Sequence, residues 1–216
     1  MWSYPTIYRD KIGEETTTID NDGRELRMVV RGVEFRGGDF DCLEPTEKQD
    51  ASRLACFTLQ KGDLCSCVIE CKIPVRVAGA ETTEGTLDVH VELGNPEPKG
   101  GIDRLYLQLT LQLGHYCFVS SGWSGWFEDE LLDLQKQLPE GVFLKSCINC
   151  AFSDYSPLGH GMFGGLACFR DNKEGYRAVR TKGDIFRVWK TMTEYVQETY
   201  LCAEFEKRQP KTGYRG

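Results

Sequence analysis

Between residues 104 and 113 the chain reads RLYLQLTLQL, with Leu105, Leu107, Leu109, Leu111 and Leu113 alternating with Tyr106, Gln108, Thr110 and Gln112. A period of two puts all five leucines on one face of an extended strand, whereas a helix would scatter them around its circumference. The same period recurs upstream. In TLDVHVEL, Leu87, Val89, Val91 and Leu93 alternate with Asp88, His90 and Glu92, which leaves His90 on the outer face between acids. In LCSCVIECKIPVRV the odd positions Cys65, Cys67, Ile69, Cys71, Ile73, Val75 and Val77 are apolar, while Ser66, Glu70, Lys72 and Arg76 are not. One-sided strands joined by turns such as GNPEPKGGID predict an antiparallel sheet buried on one face, as a β-sandwich or a strongly curved sheet. Cys65, Cys67 and Cys71 then act as small core hydrophobes; a second metal cluster made with Cys56 is the competing reading.

Upstream, TTTID and ELRMVVRGVEF flank the turn NDG and predict a hairpin with Leu26, Met28 and Val30 inward. Residues 36–50, RGGDFDCLEPTEKQD, read as a loop broken by glycines, acids and Pro45. Downstream the period changes at SGWSGWFEDELLDLQKQLPEG, where Phe127, Leu131, Leu134 and Leu138 form one helical stripe. Ser124 is placed to cap this helix, Glu128, Asp129 and Glu130 complement its dipole, and Pro139 and Gly141 stop it. Trp123 and Trp126 are expected to anchor it to the sheet. In the remaining chain, VFLKSCINCAF reads as a strand entering a knuckle and GLACFRD as a returning strand. A second helix is expected from Asp184 through residue 200, burying Ile185, Val188, Trp189, Met192, Tyr195 and Val196, before a polar tail that frays or lies along the surface. The organisation expected is α+β, with residues 1–141 forming a β-rich region that ends in an amphipathic helix. Residues 142–216 form a smaller cysteine-bearing region packed against it, the two reading as one continuous domain or two.

A chain of 216 residues can bury a sizeable core without disulfide staples. Its 26 Lys and Arg against 33 Asp and Glu give a net charge of −7, which disfavours nucleic acid and anionic membranes as partners. No basic segment followed by an apolar run opens the sequence and no run of about 18 apolar residues occurs, so a cytoplasmic location and no membrane are expected. In that compartment the ten cysteines stay as thiols or metal thiolates.

Four of them stand apart from the β-rich segment: Cys147 and Cys150 in CINC, Cys168 in GLACFR and Cys202 in ETYLC. Two residues between cysteines let both sulfurs reach one ion from a tight turn, and a closed tetrahedral zinc site needs two more ligands from elsewhere. Cys168 and Cys202 can supply them, with His160 and Cys117 as competing ligands. Unligated thiols and a thioredoxin-like dithiol at CINC remain as alternatives, although the motif follows a strand with no helical period after it. The loop GHGMFGG lacks the spacing, lysine and following helix of a phosphate-binding loop. With three histidines, none in a nucleophile or HExxH setting, no catalytic constellation is evident.

The stretch CINCAFSDYSPLGHGMFGGLACFRDNKEGYRAV, with YVQETYLCAEFEKR and the terminal GYRG, resembles a bacterial family of unknown function. The resemblance covers roughly the last 75 residues well and the β-rich part loosely. It implies that Cys147, Cys150, Cys168 and Cys202 belong together; Ala203 stands where that family carries proline, which leaves the ligands untouched. It implies no activity. The function expected is a non-enzymatic binding or accessory factor with a protein partner, toxin-neutralising in its narrowest form, with structural Cys-ligated zinc. The alternative is a metal-dependent or thiol-redox enzyme built around the CxxC turn, Asp154, Tyr155 and His160. The sequence is silent on oligomeric state.

Overall fold

The alternating segments pair into one large antiparallel sheet in the computed structural model, which describes residues 1–46 and 51–215. Five strands, β1 (Trp2–Asp10), β2 (Gly13–Asn21), β3 (Leu26–Val30), β4 (Val33–Gly37) and β5 (Glu44–Pro45), form a first meander. A helical turn, α1 (Ala51–Leu54), and a small hairpin of β6 (Thr58–Gln60) and β7 (Asp63–Cys65) lead to a second. It comprises β8 (Cys67–Ala78), β9 (Thr82–Leu93), β10 (Leu105–Leu113) and β11 (Tyr116–Val119). The meanders fuse where β8 runs beside β1, Thr6 opposite Cys71, giving the order β11-β10-β9-β8-β1-β2-β3-β4-β5. A further short strand, β12 (Phe143–Leu144), pairs with the end of β8. The fold is therefore α+β around one large antiparallel sheet.

Inward residues are those of the two-residue period. Leu26, Met28, Val30, Ile69, Ile73, Val89, Val91, Leu107, Leu109 and Leu111 are buried, as are Cys65, Cys67 and Cys71. The run ELRMVVRGVEF is two strands rather than one, because Arg31 and Gly32 take positive φ (49° and 72°) and turn the chain back. Residues 47–50, the end of the expected loop, lie outside the described residues.

The buried face of the sheet is covered in part by α2 (Phe127–Gln137), whose Phe127, Leu131 and Leu134 are buried as the stripe predicts. Ser124 does not cap it. The N-cap position falls to Trp126 without a side-chain bond, and the Ser124 hydroxyl donates instead to Glu130 Oε1 at 2.7 Å. Nor do the two tryptophans anchor the helix: Trp123 is 84% and Trp126 40% exposed. Phe127 takes that role, stacked on Phe40 from the β4–β5 loop at 5.7 Å and 8°.

Beyond β12 come β13 (Ser153–Asp154), β14 (Leu166–Cys168), α3 (Lys173–Arg177), α4 (Lys182–Val188) and β15 (Glu194–Val196), with β13, β14 and β15 forming a three-stranded sheet. The helix expected to run to residue 200 stops at Val188 and a 3₁₀ turn follows at Trp189–Thr191. Thr181, not Asp184, is its cap; Asp184 completes the capping box from inside. Past Thr193, whose N–H donates to Cys168 C=O at 2.8 Å, the chain gains a ladder to β14, and that pairing overrides the helical period. Ile148, Tyr155, Phe163, Leu166 and Val196 join the main core, whereas Phe152, Phe169, Tyr176, Val179 and Ile185 form a second, smaller one. Among the described residues no helix is long and apolar enough to cross a membrane.

Candidate metal centre

Backbone bonds bring the four cysteines to one locality. Cys147 opens a 3₁₀ turn that closes with Cys150 N–H donating to Cys147 C=O at 3.1 Å. The segment leading to Cys202 lies along this turn, since Cys147 N–H donates to Tyr200 C=O (2.8 Å) and Ile148 N–H to Glu198 C=O (3.0 Å). Past Cys202 the chain returns beside Cys150 in an isolated bridge to Lys207, and Cys168 ends β14. Cys147, Cys150 and Cys168 are buried, Cys202 is half-buried, and all four are free thiols.

Burial pushes the Cys147 thiol well above its ordinary range, and the nearby Cys150, Cys168, Cys202 and Glu198 push the same way. Burial also raises Cys168, opposed by the Arg170 backbone N–H bonded to its sulfur and by the Arg170 charge. At Cys202 the N–H of Glu204 donates to Sγ at 3.3 Å. The Glu204 amide thus orients the Cys202 sulfur. Arg170 reaches Cys168 by its side chain as well, Nη1 to Sγ 3.9 Å, and pairs with Glu194, whose other oxygen accepts from Arg24 at 2.7 Å. Among the described residues, however, no three His, Cys, Asp or Glu side chains stand together at metal-holding geometry. The donor set suits zinc chemically, and the four sulfurs share a neighbourhood without closing on one point.

The competing ligands lie elsewhere. Cys117 is exposed on β11, and His160 stacks on Tyr155 (4.0 Å, 25°) with Nε2 3.5 Å from Glu128, a contact that raises its pKa against the effect of burial. Asp154 is fully buried, and its Oδ2 accepts from Tyr176 Oη–H (2.8 Å) and from the N–H groups of Tyr214 (2.8 Å) and Arg215 (3.3 Å). Arg215 in turn donates to Ile148 C=O at 2.9 Å and lies over the Tyr155 ring. The tail up to Arg215 therefore does not fray, because a buried carboxylate draws its amides in.

The glycine loop binds anions, and they are the chain's own. Glu198, fully buried, accepts from Gly164 N–H (2.7 Å), Gly165 N–H (3.4 Å) and Tyr155 Oη–H (2.9 Å). Asp39 accepts from Phe163 N–H (2.9 Å) and Phe40 N–H (2.7 Å). Burial, with repulsion from Asp41, pushes the Asp39 carboxyl up to about 8. Sequence reasoning missed Asp39, Glu198, Arg170 and Arg215, since each sits in a polar stretch that resembles surface and meets its partners only through the fold.

A family model described as a family of unknown function (DUF6304) matches residues 2–153. The match takes in the large sheet, α2 and the Cys147–Cys150 turn, and ends before Cys168 and Cys202. No curated protein and no solved structure matches the chain.

Proposed function

The chain belongs to this family of unknown function, and from its own residues we propose a non-enzymatic binding protein whose C-terminal region is locked by zinc on Cys147, Cys150, Cys168 and Cys202. The observation that carries the zinc reading is the approach of four cysteines from three separate segments to one neighbourhood, with the Glu204 N–H on the Cys202 sulfur. Loading requires the sulfurs to move inward and lose their protons. A cation reverses the electrostatics that keep Cys147 protonated, so metal binding and thiolate formation go together.

The binding reading is supported by how Asp154, Glu198 and Asp39 spend their oxygens on tyrosines and backbone amides of the chain itself. The outer face of the large sheet offers a surface to a partner, with Glu14, Arg9, Glu70, Glu92 and Arg104 placing both signs of charge across it. A toxin neutralised by binding alone is the narrower form of this reading, and a net charge of −7 suits a basic partner. A reducing bacterial cytoplasm is the setting in which such thiols persist.

Metal content of freshly purified, reduced protein tests the site. The expected result is about one zinc per chain with four sulfur ligands by X-ray absorption, lost in Cys202→Ser together with roughly 10 °C of Tm. Three sulfurs with an exchangeable water as the fourth ligand would mean an open, catalytic position and would sink the non-enzymatic reading, whereas an imidazole nitrogen there would mean a closed site with a histidine in place of one cysteine. No metal at all would dismiss the centre.

A further inference from the structure

The ladder between β1 and β8 stops short, and two prolines explain where. It runs from Asp10 opposite Cys67 to Thr6 opposite Cys71, although both strands continue beyond it. In the same register Pro5 would face Lys72 and Ser3 would face Pro74. Lys145 N–H donates to Arg76 C=O at 2.7 Å, so the even-numbered residues of β8 aim their backbone groups at this edge. Both missing pairs are therefore ones that exchange hydrogen bonds, and each contains a proline with no N–H to give. The strands part there. A cleft of about 640 Å³ remains, with Trp2 and Tyr4 of β1, residues 73–76 of β8 and residues 197–201 among its walls.

Two residues of that wall keep a buried donor unspent. Gly23 N–H donates to Asn21 Oδ1 at 2.8 Å and fixes which way the buried Asn21 amide faces. Asn21 Nδ2 then donates to Tyr4 Oη (2.9 Å) and to Gln197 Oε1 (2.7 Å), while Asn21 Oδ1 accepts from Gln197 Nε2 (3.0 Å). Tyr4 Oη is thus an acceptor whose own proton meets no acceptor among the described residues, and the second proton of Gln197 Nε2 is in the same position. Tyr4 is 4% and Gln197 2% exposed, and burial pushes the Tyr4 phenol up to about 12, so its proton stays on. Buried donors are costly to leave unpaired, and two of them side by side match the two lone pairs of one carbonyl oxygen. Trp2 and Tyr200, edge to face at 5.7 Å, give the same cleft aromatic surface. Its charges balance, one arginine and one glutamate, Arg76 and Glu84, opposite each other in the β8–β9 ladder. We propose that this cleft binds a neutral, planar ring compound whose ring carbonyl accepts from Tyr4 and Gln197 together while the ring lies against Trp2 and Tyr200. The site owes nothing to the cysteines or to a protein partner.

The test uses the full chain and three ring carbonyls of increasing size, N-methylpyridone, chromone and caffeine, with N-methylindole as a planar counterpart that lacks the carbonyl. Binding is read by ligand-detected NMR titration. Chromone is expected to bind about 10-fold more tightly than N-methylindole, the difference that two added hydrogen bonds make. Tyr4→Phe keeps the ring and removes one donor, so this preference should shrink to about 3-fold while N-methylindole binds as before. Trp2→Ala should weaken both probes alike, by about 5-fold. Trp2 is 42% exposed, so this second variant keeps the test decisive should the loss of an acceptor for Asn21 unfold Tyr4→Phe. Equal affinity of the wild-type chain for chromone and N-methylindole overturns the proposal. A preference that Tyr4→Phe leaves intact, or affinities that Trp2→Ala leaves intact, does the same. Absence of binding by all three carbonyl probes at about 1 mM leaves the two donors to water and also overturns the site.

Discussion

Arg31 holds a left-handed backbone without being glycine, and the reason lies 21 residues upstream. Its guanidinium makes a two-pronged pair with Asp10, Nη1 to Oδ2 at 2.7 Å and Nη2 to Oδ1 at 2.8 Å. Asp10 also accepts from Ile12 N–H (2.8 Å) and Tyr8 Oη–H (3.0 Å), so one carboxylate organises the β1–β2 and β3–β4 turns together. Burial acts to raise its pKa, yet the Arg31 hydrogen bonds, the Ile12 amide, the Tyr8 hydroxyl and the Arg31 charge prevail and take it down to about 2. A folded pKa below the unfolded value of about 3.9 means stability that is complete above about pH 4 and lost as pH falls through about 2. Asp10→Asn should therefore be less stable than wild type at pH 7 by about 2 kcal/mol and should lose the extra acid sensitivity between pH 4 and 2. Urea denaturation at pH 7 and pH 3 checks both, and equal stability at pH 7 would remove the pair from the account. Nothing in the strings YRDK or VVRG marks this pair, because two charged residues in turns read as solvated until the hairpins bring them together.

At the level of elements, the signals that survived folding are those whose partner is a whole face. The period of two placed the inward residues of β3, β8, β9 and β10, and the helical stripe placed Phe127, Leu131 and Leu134 on the buried side of α2. Leu134→Ala should cost about 3 kcal/mol, since the side chain is fully buried in the main core and its loss leaves a cavity. A urea midpoint within error of wild type would show that α2 does not seal the sheet. Signals whose partner is a single strand fared worse. The segment after Val188 has a helical period on paper, yet Leu166, Ala167 and Cys168 offer Glu194, Tyr195 and Val196 a ladder, and the strand wins. Ser124 likewise has the right spacing for a cap, but the buried Glu130 carboxylate claims its hydroxyl.

For the molecule as a whole, the last residues close the C-terminal region over its own core. Asp154→Ala should release Tyr214 and Arg215, abolish protection of their amides in hydrogen exchange, and cost about 3 kcal/mol because Arg215 is left buried with one acid fewer. Unchanged exchange at those two amides would show that the tail is held by other contacts. The β-rich character, the inward faces, the α2 helix and the grouping of Cys147 with Cys150 were legible in the sequence, because each depends on residues within a few positions of one another and on periods set by backbone geometry. Strand order, the fusion of two meanders at β1 and β8, the approach of Cys168 and Cys202 to the CINC turn, and the capture of the glycine loop by Asp39 and Glu198 were decided by the tertiary structure. These contacts join residues up to 124 positions apart, and their energy exists only once packing excludes water and leaves a buried carboxylate or thiol no partner but the protein itself.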